Sequence, residues 1–367
     1  MKRKHKIVLI AGARPNFMKI APLINELDKI RSFKNILIHT GQHYDYSMSE
    51  LFFRDLGLRK PDVYLGVGSG THAEQTARIM IALEKELIKI KPDLVIVVGD
   101  VNSTLAAAIV CSKLCIRLAH VEAGLRSFDM TMPEEVNRIV TDRLSDLLFT
   151  ISADSADNLI KEGVDRKKIF FTGNVMIDTL IKLKPRAEKL NAYKNYGVER
   201  KNYCLVTLHR PSNVDNRDNI LKIIKALSEI SLSLPVIFPV HPRTLNNIDE
   251  FGFRKYLKKP GLIATAPVGY IENLSVMMNS RFVITDSGGI QSESTFMKIP
   301  CITLRKNTEL TVTEKIGTNT VIGLDTKRLF CIVDDIMSDN YKKGRIPKYW
   351  DGNASVRISG IIKKLFL

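Results

Sequence analysis

"KIVLIAGARPNFMKIAPLINELDKI", residues 6–30, holds a short run of Ile, Val and Leu, a turn at Gly12, and then a longer segment with apolar residues at helical spacing. A buried strand feeding an amphipathic helix through a tight turn is the opening of a βαβ unit. The basic start and the "AGA" at 11–13 imitate a secretory leader, but strand, turn and helix account for more of the stretch. The same style recurs in "NILIHTG", "DLVIVVGD", "RLAHVEAG", "DLLFTIS" and "IFFTGN", and then in "YCLVTLHR", "LPVIFPVHPR", "LIATAPV", "RFVITDSGG" and "PCITLRK". The expected class is therefore α/β, with two Rossmann-like doubly wound domains, for which 367 residues suffice. The expected division puts residues 1–173 in the first domain and 174–349 in the second, with the crossing near "TGNVMIDTL" and a charged connector over 182–200.

Lys and Arg number 55 against 39 Asp and Glu, a formal charge of +16 that favours acidic partners. The excess is dispersed over patches such as 2–6, 182–189 and 342–345, without an Arg/Gly tract or an aromatic-basic RNA motif. Nucleic acid is accordingly not an expected partner. A membrane is not expected either, because no apolar stretch approaches the roughly 20 residues that span a bilayer. Cys111, Cys115, Cys204, Cys301 and Cys331 are odd in number, form no C-x-x-C pair and lie mostly in apolar runs. They read as buried, reduced thiols of a cytoplasmic protein.

Open α/β sheets bind ligands beyond the carboxyl ends of their strands, so the turns "GARPN", "GDVNST", "HVEAGLRS", "LHRPSN", "HPRT" and "TDSGG" should gather on a rim facing an interdomain cleft. "GARPNFMK" keeps only Gly12 of a G-x-G-x-x-G pattern, which argues against a nicotinamide loop. Arg14 and Lys19 at a helix start suit a phosphate or a sugar, although a surface Arg beside a helix cap explains them equally well. In "VITDSGGIQSEST", Ser287, Gly288 and Gly289 open a helix whose N–H groups can meet an anion, and Glu293 one turn later suits a ribose diol; the plainer alternative is a tight turn with a cap. His209 and His241 end strands near Arg210 and Arg243, a setting for a diphosphate, although a lone histidine there is often only packed and hydrogen-bonded, the reading that His241 takes. No H-E-x-x-H, Cys/His cluster or calcium-type loop suggests a metal.

Asp100 and Glu122 also follow strands, and "MPEEVNRIVTDRLSDLLF" reads as a helix with Pro133 in its first turn. Its apolar side would be Val136, Ile139, Val140, Leu144 and Leu147, with Glu134 and Arg138 sharing another face. Acids in such places are commonly caps or dipole partners. Three of them on one rim beside cationic turns point instead to acid–base chemistry, since crowded carboxylates push one another's pKa values apart.

In order and over residues 6 to 325, "GARPNFMK", "TGQHYD", "GDVNST", "HVEAGLRS", "PEEVNR", "TGNVMIDTL", "HPRT", "DSGGIQSE" and "GTN" resemble the non-hydrolysing UDP-N-acetylglucosamine 2-epimerases. "GQHYDYSMSELFF", "GSGTHAEQTAR" and "RSFDMTMPEEVNRIVTDRLSD" are also similar to a branch acting on UDP-2,3-diacetamido-2,3-dideoxyglucuronic acid. The resemblance implies the glycosyltransferase-B fold, a C-terminal helix at about 350–367 crossing back to the first domain, and a homodimer. It implies interconversion of UDP-GlcNAc and UDP-ManNAc without nicotinamide or metal, by elimination of UDP to 2-acetamidoglucal and re-addition. On matching positions it makes Asp100, Glu122 and Glu134 the catalytic acids, and places His209 and Arg14 near the departing diphosphate. Arg138, Ser287, Gly288, Gly289 and Glu293 match UDP-binding positions, and Lys19 a basic residue of the first loop. Pro211, Ser212, Leu310 and Thr311 depart from the family's H-R-R-E and T-E-R-P patterns, and only Gln42 and His43 match its second, activating site. Substrate activation is therefore not expected. A UDP-sugar glycosyltransferase of the same fold is the alternative from another reaction class.

Overall fold

The computed structural model describes residues 3–42, 53 and 55–366, and leaves out the side chain of Arg14. His43 and most of "GQHYDYSMSELFF" lie outside the described residues. The chain forms two compact units, Met1–Thr179 with Lys348–Leu367, and Leu180–Pro347.

The first unit is built on a parallel sheet of β1 (His5–Ala11), β2 (Phe33–His39), β3 (Val63–Tyr64), β4 (Leu94–Val98), β5 (Leu118–Val121), β6 (Leu147–Thr150) and β7 (Ile169–Phe171). Their order is β3-β2-β1-β4-β5-β6-β7, so the winding reverses between β1 and β4. That reversal opens the crevice where doubly wound sheets take their ligands. Helices cover both faces, which is why β4 reads as an unbroken apolar run and is buried throughout. Val8, Val95, Val97, Leu83 and Cys111 share one layer of this core.

The last residues complete this unit. Trp350 is buried and donates its indole N–H to the Ile151 carbonyl at 2.9 Å. Asp178 caps the helix Ala354–Phe366 by accepting from the Ala354 and Ser355 amides at 3.2 and 2.7 Å, and from the Ser355 hydroxyl at 2.6 Å. That helix then packs on the helix Arg14–Asp28.

The second unit repeats the plan with β8 (Cys204–Thr207), β9 (Val236–Pro239), β10 (Leu262–Thr265), β11 (Phe282–Thr285), β12 (Cys301–Thr303) and β13 (Asn319–Val321). The parallel order is β10-β9-β8-β11-β12-β13, with the reversal between β8 and β11. Val206, Phe238, Phe282 and Ile302 lie in its core with Ile223 and Leu227 of the helix Arg217–Ile230.

Three details depart from the sequence reading. The edge strands β3 and β13 have only two and three residues and lack the apolar run that marks the others. Cys111, Cys204 and Cys301 are buried, but Cys115 and Cys331 are exposed. The first part of the charged connector, 182–190, is the second half of a helix, Val175–Leu190. No described helix is long and apolar enough to cross a membrane.

Candidate active site

At the carboxyl edge of the first sheet, β1 turns into its helix through Asn16, whose side-chain oxygen accepts from the Gly12 and Ala13 amides at 3.1 and 2.9 Å. The Asn16 amide donates to the Val98 carbonyl at 3.0 Å and ties this turn to the end of β4. Lys19, one turn further along, is buried and its ammonium is paired with Glu122, also buried, just beyond β5. Gly99 lies between them with φ +67°, where a Cβ would stand 2.8 Å from the Lys19 ammonium. The left-handed backbone favours glycine there, and a side chain would also push the Lys19 ammonium aside. Glu122 is itself left-handed at φ 74°, with its own amide and that of Ala123 both donating to the Phe149 carbonyl. A non-glycine residue held so is strained, and such strain gathers at functional positions.

Asp100 is partly exposed and paired with Arg138, which is buried. The helix Pro133–Leu144 brings Arg138 there, but rotated relative to expectation. Its buried residues are Glu135, Asn137, Arg138, Thr141 and Asp142, whereas Val136 is exposed and Ile139 and Val140 are half-buried. Leu147, expected on the same helix, belongs to β6. The partner of Arg138 within the helix is therefore Glu135, which also accepts from the Ser127 and Phe128 amides at 3.0 and 2.8 Å. Glu134 is half-buried on the neighbouring face. The physical reason is a polar layer beneath the rim that apolar side chains could not satisfy. In that layer His120 faces acceptors with both ring nitrogens, Asp142 at 2.6 Å and the Gly99 carbonyl at 2.8 Å. Asp142 also accepts from Arg126 at 2.7 Å, and Arg126 is forked onto Glu162. Burial opposes charge on Asp142, yet His120 and Arg126 outweigh it and hold the carboxyl below the usual range.

In the second unit Ser287, Gly288 and Gly289 end β11 and begin the helix Gly288–Met297, all partly exposed, with the helix N-terminus at the rim. Asp286, wholly buried beside them, accepts from the His209 and Arg210 amides at 3.1 and 2.9 Å, from Asn213 at 3.1 Å, and faces His209 Nδ1 at 3.2 Å. Burial would raise this carboxyl, but His209 and the amide donors hold it below the usual range. The ring of His209 is thus fixed by one nitrogen with 43% of its side chain still exposed, leaving the other nitrogen for a ligand. The His241 ring lies tilted beside it, ring centres 6.0 Å apart, its pKa lowered by burial and by His209 and Arg243. Glu293 is buried and accepts from the Tyr270 hydroxyl at 2.7 Å; burial pushes its carboxyl up to about 7. Of the departing positions, Pro211 starts the short helix Pro211–Val214 and Leu310 is buried.

The family model for UDP-N-acetylglucosamine 2-epimerase matches residues 25–363. The chain belongs to that family. This epimerase-family chain is 40% identical over 369 residues to the UDP-N-acetylglucosamine 2-epimerase of Methanococcus maripaludis, covering 98% of each. It is 39% identical over 364 residues to the UDP-2,3-diacetamido-2,3-dideoxy-D-glucuronate 2-epimerase of Pseudomonas aeruginosa, covering 98% of the chain and 100% of that protein. Its fold is that of the Methanocaldococcus jannaschii UDP-GlcNAc 2-epimerase crystallised with UDP-GlcNAc and UDP, at a TM-score of 0.91 and 40% identity over 98% and 99% of the two chains. Two units with parallel doubly wound sheets are the glycosyltransferase-B architecture of this family.

Within the first unit, the epimerase fold gathers Lys19 with Glu122 and Asp100 with Arg138 on one rim. In the second it gathers His209 and the Ser287–Gly289 turn. Sequence reasoning missed Glu135 and Asp286, the carboxylates that hold Arg138 and His209. Both stand inside quoted motifs, "PEEVNR" and "TDSGG", and a buried acid beside a functional cation is the signal that finds them. Gln42 is buried and accepts from Ser103 at 2.8 Å. Among the described residues no group of His, Cys, Asp and Glu could hold a metal ion.

Proposed function

We propose that the protein interconverts UDP-GlcNAc and UDP-ManNAc by elimination and re-addition of UDP. The single observation that carries this reading is the pairing of strained, buried Glu122 with Lys19 beside Asp100 on the rim. In the proposal a carboxylate of the first unit takes the C2 proton as the C1–O bond breaks, forming a C1=C2 double bond and releasing UDP with the bonding pair. The proton then returns to C2 on the other face while a diphosphate oxygen closes on C1. Asp100, Glu122 and Glu134 carry the proton work, with Lys19 positioning Glu122 and Arg138 positioning Asp100. His209, oriented by Asp286, and the Ser287–Gly289 helix start take the charge that grows on the diphosphate, Arg14 joins them, and Glu293 takes the ribose.

Incubation with UDP-GlcNAc in D2O, followed by proton NMR, tests this. The expected result is UDP-ManNAc with deuterium at C2; sugar transfer or hydrolysis without exchange at C2 would overturn it. The P. aeruginosa relative, at 39% identity, favours a second reading in which the diacetamido-uronate is the sugar. In the same assay that sugar would exchange faster than UDP-GlcNAc.

We also propose that the protein is a cytoplasmic homodimer. Supporting this are the helices His72–Ile90, Asn102–Lys113 and Pro133–Leu144, which pack side by side and expose Ile81, Ile88 and Val136 to solvent. Light scattering should return twice the chain mass, and a Val136→Glu variant the single mass.

A further inference from the structure

At the amino-terminal edge of the second sheet a cavity of about 620 Å3 opens among the residues that precede β8, β11, β12 and β13. The rim carrying His209 and Ser287 lies at the other end of the same strands, roughly 10 Å away for strands of this length. Lys201, Arg281, Lys298, Lys342 and Lys343 line the cavity with Asp339 as the one acidic lining residue, a formal +4.

Three of these cations are tied to backbone carbonyls. Lys201 donates to the carbonyls of Met278 and Ser280 at 3.0 and 2.9 Å. Lys342 donates to those of Glu314, at 2.8 Å, and Asn319. Each ammonium has three N–H donors, so each keeps one beyond these bonds. Arg281 donates to the Ile336 carbonyl at 2.9 Å and to the Asp339 carboxylate at 2.6 Å, and the Glu314 carboxylate acts on Lys342 through space. Burial lowers the pKa of both lysines; the neighbouring Arg200 and Arg281 add to the effect at Lys201, while Glu314 and Cys301 oppose it at Lys342.

The wall is rigid as well as charged. Lys201, Lys298 and Asp339 all adopt left-handed backbone, at φ 61°, 57° and 60°. Each arrangement costs about 1 kcal/mol or more for a residue with a Cβ. Gly344 presses so closely on the neighbouring loop that a Cβ would stand 2.5 Å from the Gly317 carbonyl carbon. The strap carrying Lys342 and Lys343 is tied down by the Tyr341 hydroxyl on the Thr318 carbonyl at 2.8 Å and by the Arg345 amide on the Ile316 carbonyl at 2.8 Å.

We propose that this cavity is a second anion site, separate from the nucleotide-sugar rim, which takes a compact and multiply charged phosphate such as an inorganic polyphosphate. Ammonium groups gathered around a concave pocket, two of them tied to backbone carbonyls, match phosphoryl oxygens as point charges. An open pocket of only about 620 Å3 suits a short anion better than a polymer, which needs a continuous track. The inference stands independently of the epimerase reading.

Calorimetric titration of inorganic tripolyphosphate into the full chain, with and without saturating UDP, tests it. One site is expected with equal affinity in both conditions, weaker as pH rises because the lysines must stay protonated. Lys201→Gln combined with Lys343→Gln should weaken it by about tenfold, whereas His209→Gln should leave it unchanged. Lys343→Gln alone, on an exposed side chain, keeps the test open if the double variant folds poorly, with a loss of about threefold. Absence of binding heat, displacement by UDP, indifference to the lysine changes, or binding only to vesicles bearing phosphatidylinositol bisphosphate would each overturn the proposal.

Discussion

Glu293 shows how far burial can move a carboxyl even against a hydrogen bond, here from Tyr270, that favours its charged form. Its folded-state pKa of about 7 lies above the 4.5 of a free glutamate, so protonation stabilises the fold. That stability is complete below about 4.5 and is lost as pH rises through about 7. Glu293→Gln, which keeps an acceptor for Tyr270, should therefore leave the melting temperature nearly unchanged near pH 4 and raise stability near pH 8 by roughly 3 kcal/mol. Thermal melts at the two values check this; an equal difference at both would count against it. The residue was legible because it follows a glycine turn by one helical turn. Tyr270 was not, since nothing in a local pattern brings residue 270 to residue 293. The same limit separates Asp100 and Glu122, which strand ends mark plainly, from Asp286, whose carboxylate looked like part of a turn and is the support of His209.

At the scale of the element, the helix Pro133–Leu144 carries the sharpest lesson. Successive helical residues are about 100° apart, so Glu134 and Glu135 face different surroundings although the sequence presents them as a pair. Glu135 is buried on Arg138 and two backbone amides, and Glu134 is half-exposed. Glu135→Gln should cost about 3 kcal/mol by unbalancing a buried cation, while Glu134→Gln should leave stability within about 0.5 kcal/mol and lower turnover by about a hundredfold. Chemical denaturation and the C2 exchange rate, measured on both variants, separate the two roles; a stable Glu135→Gln protein would contradict the assignment. The apolar stripe expected on this segment is not the buried face of the helix, and its last member, Leu147, lies in β6. Periodicity identifies a face without saying whether core, polar layer or solvent lies against it. Strands with strong apolar runs were located well, and the two that were missed, β3 and β13, sit at sheet edges where few residues need burying.

For the whole molecule, the alternation of strands and helices was enough to give two doubly wound sheets, because parallel strands demand crossover helices. That the last residues, about 350–367, join the first unit is implied only by the family resemblance, as a short amphipathic helix carries no address. Ending the chain at Pro347 removes Trp350 and the helix capped by Asp178. Hydrogen exchange should then show lost protection in β1 and β6 with β8 and β11 still protected; intact protection of β1 would refute this. The same arrangement bears on how the protein is born. Ribosomes add about 5–20 residues each second, so roughly ten to thirty-five seconds pass between Thr179 and the arrival of the closing helix. Through that interval the helix Arg14–Asp28 lacks its cover, and the nascent protein carries an unfinished apolar surface while the later unit, Leu180–Pro347, is being made. Its yield in a cell is thus set partly by whatever shields that surface until translation ends.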